Sequence, residues 1–268
     1  MSYKIGIIGK GYVGGAMYEN FKDLYSVEVY DTDPVKKTKS LEELVTWAQI
    51  LFVSVPTPMR QEDGACDYSI VESVVKQIAA IDKTKVVVVK STVPPGTTAR
   101  LAKETGMAIC FNPEFLTEAN YIQDFKHQSL IVIGADDEGL YDILYDLYCD
   151  FNHRVNCKGQ IVGCKTAEAE MFKYLANCFL ATKVTFLNEI YKLCQVSKID
   201  YNRVADIAKM DRRLGHTHWK VPGPDGKFGF GGSCFPKDMN ALAHFADSAG
   251  STLWLITEAL YINSDIRK

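Results

Sequence analysis

The sequence predicts an α/β protein: a doubly wound parallel sheet followed by an all-helical domain with a long central helix. Two features carry that expectation. Short β-branched runs alternate with longer stretches of helical spacing through the first 164 residues, and from residue 166 the strand-like runs stop. Strands of a parallel sheet are buried on both faces, so they read as near-continuous apolar runs separated by crossover helices.

Taken in order, YKIGII (3–8), VEVY (27–30), ILFVSV (50–55), KVVVVK (85–90), MAICF (107–111) and LIVIG (130–134) read as buried strands. Helix formers with apolar spacing fill the intervals near 12–22, 41–48, 68–80, 97–104 and 137–149. This alternation assigns 1–164 to the sheet domain and 165–268 to the helical one. Residues 166–197 contain neither Gly nor Pro, and Phe172, Leu175, Ala176, Phe179 and Leu180 recur at helical spacing, predicting one helix of roughly 8–9 turns. Shorter helices are expected near 200–209, 236–248 and 252–267, with 215–233 a loop rich in Gly, Pro and aromatic residues. The apolar face of the long helix serves either a dimer interface or the domain's own core.

Composition excludes several classes. The chain has 268 residues, 47% hydrophobic and 24% charged, with 30 Lys+Arg against 33 Asp+Glu and a net charge of −3. That balance gives no bulk attraction to nucleic acid or anionic lipid. No apolar run approaches the ~20 residues that span a bilayer. Strand-like residues begin at Tyr3, leaving no room for an export signal, so a cytoplasmic protein is expected. The eight cysteines form no CxxC pair, which suits free thiols in a reducing compartment and no metal site. His216 and His218 form an HxH pair without a third ligand in view, so a loop role is expected for them.

Gly9-Lys10-Gly11-Tyr12-Val13-Gly14 follows a predicted strand and opens a predicted helix. Gly9 suits the tight turn, Gly11 admits a pyrophosphate close to the backbone, and Gly14 lets helix and strand pack closely. Asp31 ends the second strand roughly twenty residues on, where an acid accepts both ribose hydroxyls and repels a 2′-phosphate. The expectation is a Rossmann-like domain that binds NAD rather than NADP, with Lys36 and Lys37 nearby softening that preference or simply solvating the surface.

The segment from Phe228 to Asp238 holds Cys234 after three glycines and just before Pro236, a residue suited to the first turn of a helix. A thiol at a helix N-terminus meets open N–H groups and the positive end of the helix dipole, which favour the thiolate. On the residues alone, a nucleophile and a glycine turn with an incidental cysteine both stand. Lys173 and Asn177 share a helix face at i,i+4 spacing, pointing together into a cleft or toward solvent. Segments 55–58, 90–97 and 112–118 follow strand ends, where ligands gather in open α/β sheets. Glu114 and Glu118 lie one turn apart if their segment is helical, serving as base and ribose ligand or only solvating a helix start.

GKGYVG (9–14), VPTP (55–58), KSTVPPGTT (90–98), NPEFLTEA (112–119), AEAEMFKYLANCFLATKVTFLNE (167–189), MDRRLG (210–215) and GFGGSCFPKD (229–238) occur in an order that resembles the UDP-glucose/GDP-mannose dehydrogenase family, closest to its branch acting on UDP-glucose. The resemblance implies Cys234 as nucleophile, Lys173 and Asn177 lining the oxyanion and substrate site, and Asp238 assisting water and the lysine. It implies Thr92 and Glu114 as residues that position water or act as base. NAD contacts fall on Gly11, Tyr12, Val13, Asp31, Lys36, Thr57, Ser91 and Glu118, beside Gly9 and Gly14 of the turn. Substrate contacts fall on Phe115, Leu116, Phe230, Gly231 and Arg213, the last reaching across a dimer interface. The implied reaction is oxidation of a nucleotide sugar's C6 alcohol to a carboxylate with two NAD, through a thiohemiacetal and a thioester on the cysteine, without metal.

Two departures bear on that reading. Residues 216–227 differ from the form expected in animal members. Family members also continue past the final helix into a second α/β domain that grips the nucleotide, so a truncated or naturally short member is expected, with low activity unless a partner chain completes the site. Two other readings follow: an NAD-binding module of little or no activity, and a two-electron β-hydroxyacid dehydrogenase, which needs no nucleophilic cysteine. A homodimer with a nucleotide-sugar substrate is the expected assembly.

Overall fold

The computed structural model describes residues 3–267. The chain divides into two compact units: one holds the residues up to Pro58 with Asp67–Lys173, the other Met59–Cys66 with the residues from Tyr174 on.

The first unit contains β1 (Lys4–Ile8), α1 (Tyr12–Phe21), β2 (Ser26–Tyr30), α2 (Leu41–Trp47), β3 (Ile50–Val53), α3 (Ser69–Ile81), β4 (Val86–Val89), α4 (Thr97–Thr105), β5 (Ala108–Phe111), α5 (Tyr121–Lys126), β6 (Leu130–Gly134), α6 (Glu138–Val155), β7 (Gln160–Cys164) and the start of α7 (Thr166–Val196). The sheet runs β2-β1-β3-β4-β5-β6-β7. The order reverses at β1, with β2 on one side and β3 on the other, so the crevice at their carboxyl ends is the topological switch point.

Alternation along each strand builds two cores. Ile5, Ile7, Ile50, Phe52 and Val88 face α1, α5 and α6, where Phe21 stacks edge-on against Phe125 and Phe151 at 5.4 and 5.2 Å. Ile8, Leu51, Val53, Val87 and Val89 face α2, α3 and α4. Burial on both faces is why these strands read as unbroken apolar runs. Helix starts follow their capping residues. Ser40 and Glu43 form a reciprocal capping box at α2, and Asp137 caps α6. Helix α4 follows the left-handed Gly96 and has no cap of its own; Glu170 of α7 supplies one, accepting the N–H groups of Gly96 and Thr98 at 2.6 and 2.8 Å.

The expected parallel sheet holds at every junction but one. Strands β5 and β6 are antiparallel, meeting at Phe111 and Gly134. A parallel pair needs a crossover between its strands, whereas the helix in this connection, α5, packs on α1: Asn20 donates to the Ile122 carbonyl at 3.0 Å. Strand β7 escapes the sequence reading because it is an edge strand, largely exposed, with a glycine in its five residues. Helix α5 escapes it because six residues show too little of a helical period.

The second unit comprises the rest of α7, α8 (Tyr201–Met210), a 3-10 turn (Arg212–Leu214), α9 (Phe235–Ser248) and α10 (Trp254–Ile266), which packs on α9. Leu187, Cys194, Tyr201, Ala205, Trp219 and Val221 form one core. Trp219 anchors the loop after the 3-10 turn: its indole donates to Gly215 O and its carbonyl accepts from the Tyr201 hydroxyl, both at 2.9 Å. Met59–Cys66 joins this unit as a tight excursion closed by a Met59–Cys66 bridge, with Asp63 3.4 Å from His244 of α9. All eight cysteines are free, and among the described residues no helix is long and apolar enough to cross a membrane.

Candidate active site

In the first unit the glycine turn sits at the carboxyl end of β1. Gly9 has φ +89, and a Cβ on Gly14 would lie 1.9 Å from the Gly9 carbonyl, so both positions exclude larger residues. A Cβ on Gly11 would meet no atom within 4 Å, leaving space at the start of α1. That start has no side-chain cap and no acid in its first turn, so its N–H groups suit a pyrophosphate.

Asp31 is held beside the turn by the N–H groups of Lys10 at 2.6 Å and Asp33 at 2.8 Å. Burial pushes its carboxyl up, but those two donors and the Lys36 charge outweigh burial and leave it below the ordinary carboxylate value. Lys36 itself pairs with Asp33 at 3.7 Å. Tyr12 is exposed and stacks edge-on against Tyr121 at 5.5 Å, while Val13 packs into the core beside α1. Thr57 and Ser91 are buried at neighbouring strand ends, where the Ser91 hydroxyl donates to Val55 O at 2.7 Å. Thr92 follows, half-buried. The residues of this crevice fit a dinucleotide.

Beyond β5 the segment 112–117 is not helical, so Glu114 and Glu118 do not share a helix face. Glu114 turns inward and Glu118 is exposed. The Lys173 ammonium donates to the Glu114 carbonyl at 2.6 Å and lies 3.3 Å from its carboxylate. Burial raises the Glu114 carboxyl, but the Lys173 charge, the Leu116 N–H and the Lys90 charge prevail and hold it below its ordinary value. Phe115 covers the pair, its ring 5.3 Å from the Lys173 Nζ and 5.5 Å from Phe172. Leu116 packs inward. Lys90, which sequence reasoning did not single out, is 3% exposed in the same unit.

In the second unit Cys234 is exposed at the N-cap of α9, with Pro236 in the first turn and the Ser233 hydroxyl 3.6 Å from its sulfur. One turn on, Asp238 is 1% exposed and accepts from Asn177 and from Lys237, each at 2.5 Å. Burial lowers the Lys237 ammonium, yet the Asp238 charge and hydrogen bond, with the Cys66 and Cys234 thiols, raise it overall. Lys237 is a second residue that sequence reasoning missed; its signal was the Lys-Asp adjacency behind the proline.

The glycine segment before Cys234 is pinned from three sides. Asn188 accepts from Gly229 N at 3.0 Å, Asn263 bonds both backbone groups of Phe230 at 2.7 and 3.1 Å, and Arg267 donates to Phe228 O at 3.1 Å. A Cβ on Gly231 would lie 1.9 Å from the Arg267 guanidinium. Phe230 is 2% exposed, its ring against Phe235. Arg213 is largely exposed and bonds Asp211. His216 bonds Lys209 O and His218 bonds the Thr217 hydroxyl, both at 2.9 Å, so both rings serve the loop.

A glycine turn at the switch point of a doubly wound sheet, with an acid fixed at the end of the next strand, defines a dinucleotide-binding fold. Residues 16–152 match the NAD binding domain of the UDP-glucose/GDP-mannose dehydrogenase family, and residues 167–265 match its central domain. A UDP-glucose 6-dehydrogenase of Pseudomonas aeruginosa is 39% identical over 228 residues, 80% of this chain and 48% of that relative. The UDP-glucose 6-dehydrogenase YwqF of Bacillus subtilis is 35% identical over 235 residues, 84% of this chain and 51% of that relative. The chain belongs to the UDP-glucose/GDP-mannose dehydrogenase family.

A UDP-glucose dehydrogenase from the archaeon Pyrobaculum islandicum superposes with a TM-score of 0.87 at 31% identity, covering 99% of this chain and 68% of that one. A 3-hydroxyisobutyrate dehydrogenase of Mycobacterium tuberculosis shares the fold, with a TM-score of 0.78 at 19% identity over 99% of this chain and 94% of that one. The chain spans about half the length of the curated relatives it matches.

Proposed function

We propose that this chain oxidises the C6 alcohol of a nucleotide sugar to the carboxylate, of the UDP-glucose to UDP-glucuronate type, through a thioester on Cys234. The observation that carries the reading is the exposed thiol at the N-cap of α9, one turn ahead of a buried carboxylate that Asn177 and Lys237 hold in place. A two-electron alcohol oxidation needs no such nucleophile.

Each residue then has a task. The glycine turn and Asp31 hold NAD, which when bound accepts one hydride at each of the two oxidations. Lys173, held in place by Glu114, stabilises negative charge on the sugar oxygen. The Cys234 sulfur adds to the aldehyde carbon, forming a C–S bond while the oxygen takes a proton. Loss of the second hydride from that carbon, with the hydroxyl proton passing to water, leaves a thioester. Water then attacks, the C–S bond breaks, and the sulfur leaves with the bonding pair as the carboxylate forms. Asp238 orients the amide of Asn177 and the Lys237 ammonium for these steps. Arg213 and the segment 228–232 take the substrate. A homodimer uses the outward apolar face of α7, where Phe179, Phe186 and Leu193 are 66, 58 and 58% exposed.

The test follows NADH release with UDP-glucose, UDP-N-acetyl sugars and GDP-mannose, alongside intact-mass detection of adducts. Two NADH per sugar acid and an adduct on Cys234 are expected with one of these substrates. Cys234→Ser should form no adduct and stop short of the acid. One NADH per substrate, undiminished in Cys234→Ser, would establish hydroxyacid-type chemistry instead. NAD binding without NADH from any sugar would leave a binding module.

A further inference from the structure

A buried lysine is costly unless something holds it. Lys90 stands one residue past β4 and Asn112 one residue past β5, and the sheet fixes both: Lys90 N donates to Val53 O at 2.8 Å and Asn112 N to Val89 O at 2.9 Å. The Lys90 ammonium donates to Asn112 Oδ1 at 2.8 Å. That oxygen also accepts from the Tyr148 hydroxyl at 2.5 Å, while the Asn112 amide donates to Val132 O at 2.6 Å. Lys90 therefore grips the residue two places before Glu114, and Pro113 stiffens the step between them. Among the described residues no carboxylate forms an ion pair with Lys90; the Phe125 ring lies 5.9 Å from its Nζ.

We propose that Lys90 is a positioning residue for the Glu114–Lys173 pair, anchoring the turn that carries Glu114 through Asn112 and facing the carboxylate as its second cation. Its consequence for turnover rests on the dehydrogenase reading above; its geometry does not. The charges acting on Lys90 are Glu114 on the 112–118 segment and Lys173 on α7, while the Tyr148 hydroxyl on α6 shares the Asn112 oxygen with it and uncharged Phe125 on α5 lies beside it. Burial draws the ammonium down to about 7, with Glu114 pulling it up and Lys173 pushing it further down. Burial drives the Tyr148 hydroxyl well above its ordinary value, so it stays neutral throughout. As Lys90 loses its proton near neutrality, Glu114 loses a cation and Lys173 loses a repelling neighbour.

The test is a carbon-13 carboxyl titration of glutamate-labelled protein, with the Glu114 signal identified through Glu114→Gln. The folded wild type should show a second inflection of that signal near pH 7. Lys90→Arg keeps the charge throughout and should abolish the inflection. Lys90→Met should abolish it and also move the Glu114 midpoint upward. Should Lys90→Met fail to fold, the comparison with Lys90→Arg decides alone. A wild type without the inflection, or an inflection surviving in Lys90→Arg, overturns the proposal. If the inflection behaves as expected while no chain turns over any sugar nucleotide, Lys90 keeps its role and the dehydrogenase reading falls.

Discussion

The Lys173 ammonium lies 2.6 Å from the main-chain oxygen of Glu114 and 3.3 Å from its carboxylate, with the two side chains 5 and 14% exposed. Removing the ammonium leaves the buried Glu114 carboxylate without its ion-pair partner. Lys173→Met should therefore cost about 3–5 kcal/mol of stability at neutral pH. Because Glu114 is held below its ordinary 4.5, it contributes stability above that pH that fades as pH falls through its folded value. Lys173→Met should shrink that acid-side dependence. Urea unfolding between pH 3 and 7 measures both effects.

Glu170 behaves in the opposite sense. It is fully buried, and burial carries its carboxyl up to about 7 against the pull of Thr98 and Gly96, which donate to it. A carboxyl raised on folding contributes most stability below its ordinary 4.5 and loses it as pH climbs through about 7. Glu170→Gln should flatten that decline in a plot of unfolding free energy from pH 5 to 8. It should also cost about 1–2 kcal/mol at pH 5, because the amide cannot accept both N–H groups that open α4.

Gly231→Ala would place a methyl group 1.9 Å from the Arg267 guanidinium, which must swing aside and give up its bonds to Phe228 O and Asp225. The expected loss is about 1 kcal/mol, with a changed rate of Cys234 alkylation by iodoacetamide. Arg267→Ala added to it should cost less than the sum of the two single changes. Additive losses in thermal unfolding would show that the clash is relieved elsewhere.

The exposed face of α7 gives an expectation for assembly. Replacing Phe179 and Phe186, 66 and 58% exposed, with Glu should convert a dimer to monomers in sedimentation equilibrium without lowering the melting temperature of the monomer. A wild type that sediments as a monomer would refute the proposed interface.

Much of this architecture is legible in the chain because apolar period and glycine placement are local signals. Six strands and the 31-residue α7 lie where alternation and the absence of Gly and Pro put them. The GxGxxG turn and Asp31 are legible for the same reason: strand, turn, helix and acid follow one another in sequence. The antiparallel β6 was hidden, since strand direction depends on where α5 packs and not on the composition of β6. Lys237 and Lys90 were hidden because a lysine shows no sign of burial until its partners, 238 for one and 112 for the other, are placed beside it. Asn188, Asn263 and Arg267 were unreadable for a related reason, as each supports the glycine segment from 33 to 41 residues away.

That last arrangement has a consequence for biosynthesis. The ribosome delivers Cys234 before it delivers the asparagine and arginine that fix the segment ahead of it, so a nascent chain halted short of residue 263 would carry a glycine segment held by Asn188 alone. The fixed shape of this segment is therefore a late event, conferred only when the tenth helix has closed over what came before.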